Sequence, residues 1–495
     1  MRKKTVIAID LGASNGRLIR VSTQSGCIVA EEVYRFANEG IVVHDRHYTD
    51  ILHIYNEILY GLAKAWKEDP HIDSIGIDAW GVDFCLLDEN GELINNPYHY
   101  RDSQSKGMMK EADVVFGKDM LFTETGVQDM WYNSVFQIMG MMNRKQSSMR
   151  KVDKFLMIAD MLGYMLTGSM SLEYTATTTT QMYSCKDKEW SSSILRKLQL
   201  DQSIFPKVHG TGEVKGYLSS EVCHRIGIKK DIKIPLIATA QHDSASAAYT
   251  ATSIDETSIF INSGTWSIIG MILNQPIVNR AVYEKELSNE GAAFGKIKLV
   301  KTIMGMWLSQ ELRKSFERRG LCTNYSFLLD EASKAEPFSH MVDVDDSLFV
   351  APIDMQDAFQ TYFLQNGQKS DTSQGVLYRT VIESLAFQYR KAIADLEAVT
   401  ENCCNAIHFL GGAVRDTLFC QFIANATGKK LIAGPIEATA VGNAMIQLEA
   451  LRAYEKHEKT ALLEKSFGIE QYTPQDRELW EKKYIDYKKL LSGKE

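Results

Sequence analysis

Apolar and polar positions along the chain switch between two periods, and the switches mark its elements. Thr5 to Asp10 is a short apolar run closed by an acid, followed by the small-residue stretch Gly12 to Gly16 and a second run from Arg17 to Val21. That pattern predicts a β-hairpin whose turn carries unusually small side chains. Near the middle of the chain the plan returns: strand Ser258 to Ile261, polar Asn262, turn Ser263-Gly264-Thr265, strand Trp266 to Ile272. Aligning Asp10 with Asn262 also aligns Gly12 with Gly264, at an offset of 252 residues.

Glycine turns between apolar strands occur in many folds, but these two share a chemistry. Small residues at a hairpin tip let backbone N–H groups approach an anion, and Ser14, Asn15 and Thr265 add side-chain donors suited to phosphate oxygens. Two such hairpins facing each other would grip a polyphosphate from both sides.

Two further fragments carry candidate chemistry. In the first, strand Ile407 to Leu410 runs into Gly411-Gly412, followed by a helix over Thr417 to Thr427, Gly428 at the helix C′ position and strand Lys430 to Ala433. The glycine pair is either a plain βα turn or a place where a flat ligand such as a purine lies on the backbone. In the second, a buried strand from Pro235 to Thr239 leads through His242 and Asp243 into a helix rich in Ala and Ser. Asp243 or Ser244 serves there as a helix N-cap, or Asp243 is a general base at the C-terminal end of a strand, where the active sites of parallel α/β sheets lie. Thr473-Pro474 opens a terminal helix whose Trp480, Tyr484, Tyr487 and Leu491 recur at helical spacing, a face suited to docking on the body.

Composition narrows the class. The chain has 495 residues, 45% hydrophobic and 10% aromatic, which suits a folded globular protein. Single cores stop growing at about 250–300 residues, so two or three domains are expected. The net charge of −8, with Lys and Arg dispersed apart from runs such as Arg2-Lys3-Lys4, disfavours nucleic-acid binding. The apolar stretch behind that run is broken at Asp10, so no secretory signal is expected. The most apolar window, Phe155 to Leu166, is too short for a membrane span and contains Asp160. Eight scattered cysteines without a CxxC pair point to a reducing, cytoplasmic compartment and to small buried hydrophobes. A P-loop, HExxH, paired zinc spacings and the protein-kinase motifs are absent.

Motifs along nearly the whole chain resemble the FGGY carbohydrate kinases: DLGASNGR (Asp10 to Arg17), WGVDFCLLD (Trp80 to Asp88), YRD (Tyr100 to Asp102), EYTATTTTQM (Glu173 to Met182), HDSASA around Asp243, SGTWS (Ser263 to Ser267), SNEGA (Ser288 to Ala292), MGMWLSQ (Met304 to Gln310), ESLAFQYR (Glu383 to Arg390) and AGPIEATAVGN (Ala433 to Asn443). The pairing of ASNGR with WGVDFCLLD and EYT points to the branch of that family acting on L-rhamnulose rather than on glycerol or xylulose. The resemblance implies an α/β fold of two duplicated ribonuclease H-like, actin-like ATPase domains with the active-site cleft between them. The expected spans are 1–246 for the N-terminal domain, 247–452 for the C-terminal domain and 453–495 for a helical segment docked on the body. The implied activity is transfer of the γ-phosphoryl of ATP, with Mg2+, to the 1-hydroxyl of L-rhamnulose in L-rhamnose catabolism. The alternatives are a kinase for another ketose such as L-fuculose, or a non-catalytic sugar- or nucleotide-responsive regulator.

By the same resemblance Ala13, Ser14, Asn15, Gly16 and Arg17 form the first phosphate loop, Thr265 sits in the second, and Gln310 and Gly412 complete the nucleotide contacts. Gly81, His242, Asp243 and Ser244 are sugar-binding positions with Asp243 the proton acceptor, and Asp10 lies near the metal-bound phosphates. Arg17 neutralises phosphate charge or meets an ordinary partner, Trp80 packs in the core or stacks on sugar, and Asp83 hydrogen-bonds sugar hydroxyls or closes a turn. Two departures stand out. Thr302 occupies a substrate position where the family pattern has Asn, so a different deoxyketose is conceivable, and GGAVRD puts Arg415 and Asp416 where smaller or uncharged residues are expected.

Overall fold

The structure, a computed structural model, describes residues 3–145, 147–229, 232–251 and 257–492. Arg2 of the N-terminal basic run and the last three residues of the expected C-terminal segment lie outside the described residues. By contact the chain divides into two compact units: Met1–Thr252, Ile272–Leu299 and Ala438–Phe467 form one, and Ser253–Met271, Val300–Glu437 and Gly468–Glu495 form the other.

In the first unit the N-terminal apolar run is strand Thr5–Leu11, and its hairpin partner is Asn15–Gln24. The sheet runs in the order Val214–Tyr217, Pro235–Ile237, Ser74–Ala79, Thr5–Leu11, Asn15–Gln24, Cys27–Ala37. Thr5–Leu11 and the parallel strand Ser74–Ala79 are buried along their whole length. Strands covered on both faces need nearly continuous apolar sequence, which TVIAIDL and SIGIDA supply until each reaches its Asp. Helix Ile51–Glu68 starts at Asp50, whose carboxylate accepts the His53 N–H at 3.1 Å, and it buries Ile51, Ile54, Ile58, Leu62 and Ala65 on one face. Helix Ala438–Ala450, late in the chain, also belongs to this unit. Gln447 of that helix donates to the Ile7 carbonyl at 3.1 Å and accepts from the Ser74 hydroxyl at 2.7 Å, so its buried amide is satisfied by the sheet it covers.

Among the described residues the second sheet repeats the plan over six strands, Glu470–Tyr472, Lys430–Ala433, Ala406–Leu410, Ser258–Ser263, Trp266–Leu273 and Ile297–Met304, and adds a seventh, Ser288–Gly291, at the edge. In each sheet an antiparallel edge strand is followed by two parallel neighbours and then by the hairpin. The 252-residue offset thus marks a duplicated α/β topology, not a chance repeat of a turn.

Local readings differ from the structure at two ends. The strand expected over Pro235 to Thr239 stops at Ile237; beyond it Ala238 bonds the turn before Val214, accepting from Gly212 N–H at 2.7 Å and donating to the Glu213 carbonyl at 2.8 Å. The terminal helix spans Arg477–Ser492, three residues beyond Pro474, because the chain first completes strand Glu470–Tyr472 against Lys430–Ala433. Trp480 and Tyr487 of this helix are buried. The Trp480 ring lies 4.8 Å from Phe338, 5.2 Å from Phe387 and 5.2 Å from Phe422. Each such aromatic pair contributes about 0.5–1.5 kcal/mol beyond the area it buries. None of the eight cysteines forms a disulfide. Among the described residues no helix is long and apolar enough to cross a membrane.

Candidate active site

In the first unit strand register assembles the acids. Asp10 is paired across the hairpin with Arg17 and, on the other side, in parallel register with Asp78. Arg17 forms an ion pair with the Asp10 carboxylate, so it has a specific partner at the base of the small-residue tip. Asp78 is fully buried. One of its oxygens accepts from Asn443 Nδ2 at 2.5 Å, and the other, Oδ1, has no hydrogen-bond partner among the described residues. Burial, with the nearby Asp10 charge second, raises its pKa well above the usual carboxylate range.

Asp243 joins these acids through backbone pairing. The end of Ser74–Ala79 continues into a parallel bridge between Ala79 and His242, and the Ala79 N–H donates to the Gln241 carbonyl at 2.9 Å. The His242-Asp243-Ser244 segment is therefore fixed beside the carboxyl ends of the central strands. The helix begins at Asp243 and runs to Tyr249, with His242 in the cap position. Asp243 does not cap it: its Oδ1 accepts only the next N–H, that of Ser244, at 2.6 Å. Its side chain keeps 32% of its accessible surface while protein surrounds the rest, and this burial raises its pKa, with His242 opposing and Asp10 adding to the shift.

The loop is held from beneath by the EYT motif. Glu173 accepts the Gln241 N–H at 3.2 Å and Thr175 Oγ1 accepts the His242 N–H at 3.0 Å. Gly81, with φ of +75°, lies against the same imidazole; a Cβ there would stand 3.3 Å from His242 Cδ2 and the Thr179 side chain. A side chain at this position would be both strained and crowded. Two residues on, Asp83 turns inward and is fully buried. Its oxygens accept from Trp80 Nε1 at 3.0 Å, Gln137 Nε2 at 3.3 Å and Thr49 Oγ1 at 3.5 Å, and burial pushes its pKa up to about 7. At the tip of the first hairpin, Asn38 Nδ2 donates to the Gly12 carbonyl at 2.8 Å and the Asn38 N–H to the Ser14 carbonyl at 3.0 Å, while Ser14 and Asn15 are exposed.

In the second unit the Gly264-Thr265 turn is stapled to the start of helix Trp307–Arg318. Gly305 N–H donates to the Thr265 carbonyl at 3.0 Å and Met306 N–H to the Gly264 carbonyl at 2.9 Å, and Thr265 Oγ1 reaches Gln310 Oε1 at 3.2 Å. Thr265 and Gln310, 45 residues apart, are thus adjacent. Below the turn the Tyr389 hydroxyl lies 3.0 Å from Ser263 Oγ and 2.6 Å from Ser267 Oγ. Gly412 begins a short 3-10 turn, Gly412–Arg415, after strand Ala406–Leu410, whose Leu410 is in register with Asn262. Thr302 lies half-buried on strand Ile297–Met304.

The two unusual residues of GGAVRD have structural roles. Asp416 caps helix Thr417–Thr427 by accepting the Phe419 N–H at 2.8 Å and also accepts the Tyr378 hydroxyl at 2.9 Å, and burial pushes its pKa up to about 6. Arg415 is exposed and faces Glu437 at 3.6 Å. Sequence reasoning did not single out Asp78, Glu173, Thr175, Glu290, Lys298 or Asn443 for roles at this site. Four of them lie inside quoted motifs, but nothing local marks a residue whose partner is fixed only by sheet register.

The chain matches the FGGY family of carbohydrate kinases, N-terminal domain, over residues 5–250 and the C-terminal domain of that family over residues 259–451. It is 36% identical to a rhamnulokinase of Bacteroides thetaiotaomicron over 99% of this chain and 100% of that one. It is 35% identical to a rhamnulokinase of Halalkalibacterium halodurans over 95% and 99% respectively. Among solved structures, a gluconate kinase from Lactobacillus acidophilus superposes with a TM-score of 0.82 at 17% identity, covering 99% of this chain and 98% of that one. Plasmodium falciparum glycerol kinase with ADP gives 0.81 at 15% identity over the same shares. These structural likenesses speak to the fold.

Proposed function

Because the chain belongs to the FGGY family of carbohydrate kinases, we propose that it transfers the γ-phosphoryl of ATP to the 1-hydroxyl of L-rhamnulose, giving L-rhamnulose 1-phosphate and ADP, in L-rhamnose catabolism in the cytoplasm. The observation that carries the reading is the full-length likeness to rhamnulokinases combined with Asp243, a partly open carboxylate that accepts the Ser244 N–H, at the carboxyl end of the central strands.

Phosphoryl transfer asks the protein for positioning and charge neutralisation more than for covalent chemistry. In this reading Asp243 takes, or orients, the proton of the sugar hydroxyl, and its raised pKa favours that acceptance. Gly81, His242, Ser244 and Thr302 contact the sugar, and the inward-turned Asp83 holds Trp80 for it. Ala13 to Arg17, Thr265, Gln310 and Gly412 hold the nucleotide. The spans 1–246, 247–452 and 453–495 serve as sugar-binding, nucleotide-binding and docking segments.

Asp10 and Asp78 offer hard carboxylate oxygens, one of them the unpartnered Asp78 Oδ1, a donor set suited to Mg2+. Mg2+ is commonly held by one or two carboxylates together with substrate phosphates. When bound, Mg2+ neutralises phosphate charge. Asp10 would hold it while Arg17 keeps the Asp10 carboxylate oriented.

Thr302 is the one observation favouring another ketose, since its single hydroxyl cannot donate and accept with the reach of an amide. A coupled ADP-release assay across ketoses tests the assignment. L-Rhamnulose is expected to give the highest kcat/KM, and a higher value for L-fuculose overturns the substrate. In the same assay Asp243→Asn is expected to lose about 10²–10⁴ in kcat with ATP binding retained; near-normal kcat removes Asp243 as acceptor.

A further inference from the structure

Lys298 is fully buried, and its ammonium meets the carboxylate of Glu290. A buried ion pair is seldom worth more to stability than apolar groups of the same volume, so the pair calls for another use. The same Glu290 oxygen lies 3.3 Å from His242 Nδ1, a buried ring nitrogen with no aligned hydrogen-bond partner among the described residues. On the other edge of the ring, Nε2 is 3.3 Å from Ser244 Oγ and 3.6 Å from Asp243 Oδ1. Lys298, Glu290, His242 and Asp243 therefore form one continuous line ending at the proton acceptor. Burial alone would raise the Glu290 pKa, but Lys298 and His242 hold it well below the usual carboxylate range, so Glu290 is an acceptor only.

We propose that the Lys298–Glu290 pair is a positioning device that fixes the tautomer of His242, an inference that rests on reading Asp243 as the proton acceptor. A ring nitrogen is protonated or bare according to the bond its partner nitrogen makes. With Glu290 accepting from Nδ1–H, Nε2 is left bare and accepts the Ser244 hydroxyl. Asp243 Oδ1 then has no imidazole donor against it beside the Ser244 N–H, and the carboxylate is open to the sugar hydroxyl. In the opposite tautomer Nε2–H points at Asp243 and competes with the sugar for the same oxygen. Lys298 keeps Glu290 ionised and in place and touches neither sugar nor nucleotide in this scheme.

Nitrogen NMR of the full chain labelled at histidine, with His242 assigned by difference against His242→Gln, reads the tautomer directly. Wild type is expected to show protonated Nδ1 and bare Nε2. Glu290→Leu removes the oxygen that Nδ1 and Lys298 share, so nothing holds the proton on Nδ1 and the pattern inverts to Nε2–H facing Asp243. In parallel kcat is expected to fall about tenfold or more with the ketose KM changed less than about twofold, and Glu290→Asp restores part of both signals. If Glu290→Leu strands Lys298 and does not fold, the double variant Glu290→Leu with Lys298→Met removes both charges and is expected to show the same inversion. A folded variant that keeps the wild-type tautomer overturns the inference, and so does a raised ketose KM with unchanged kcat, which makes Glu290 a sugar contact. The NMR readout needs no turnover, so it stands or falls separately from the choice of L-rhamnulose as substrate.

Discussion

Asp243 and Asp83 are both carboxylates near the carboxyl ends of the central strands, and their surroundings divide their work. Asp243 keeps an open face and accepts the Ser244 N–H, whereas every oxygen of Asp83 faces donors that hold Trp80, Gln137 and Thr49. Burial lifts Asp83 from 3.8 to about 7. Its folded-state pKa is therefore above the unfolded one, and the stability it contributes is fully present below about pH 4 and lost as pH rises through about 7. The stability of wild type relative to Asp83→Asn is thus expected to decline between pH 4 and pH 8, as read by unfolding midpoints across that range. Parallel curves for the two proteins place the ionised carboxylate in a better-solvated setting than the burial implies.

Elements with local signals at both ends are legible from sequence. Helix Thr417–Thr427, its cap glycine Gly428 and strand Lys430–Ala433 follow the apolar pattern to the residue, because the cap and the change of period are short-range. Strand Pro235–Ile237 was less legible, since its end depends on a partner about twenty residues upstream. Helix Ala438–Ala450 shows what pattern alone does not reveal. It approaches helix Asp243–Tyr249 so closely at Gly442 that an added Cβ would overlap the Ser246 carbonyl. Gly442→Ala is expected to cost about 1–3 kcal/mol or more through overpacking, measured by urea unfolding. Gly468→Ala, where an added Cβ meets nothing within 4 Å, serves as the control and should leave the midpoint unchanged.

At the scale of the molecule, two sheets that share a six-strand order, one of them with Ser288–Gly291 added at its edge, explain a 495-residue chain. Ligands that bind only the folded chain stabilise it by mass action, by about 2.7 kcal/mol at one hundred times Kd. L-Rhamnulose is expected to raise the unfolding midpoint of Asp243→Asn more than L-fuculose does at equal concentration, and equal shifts count against selection at the binding step. The sequence by itself determined both hairpins, the family motifs, the limits of helix Thr417–Thr427 and the duplication, since backbone preferences, small-residue turns and hydrophobic period act over a few residues. Only the tertiary structure decided that Asp10 faces Asp78, that Asn443 completes Asp78 across 365 positions, and that Lys298 and Glu290 stand behind His242. Those neighbours are set by parallel register and helix packing, which bring together side chains whose own local sequence carries no trace of the partner.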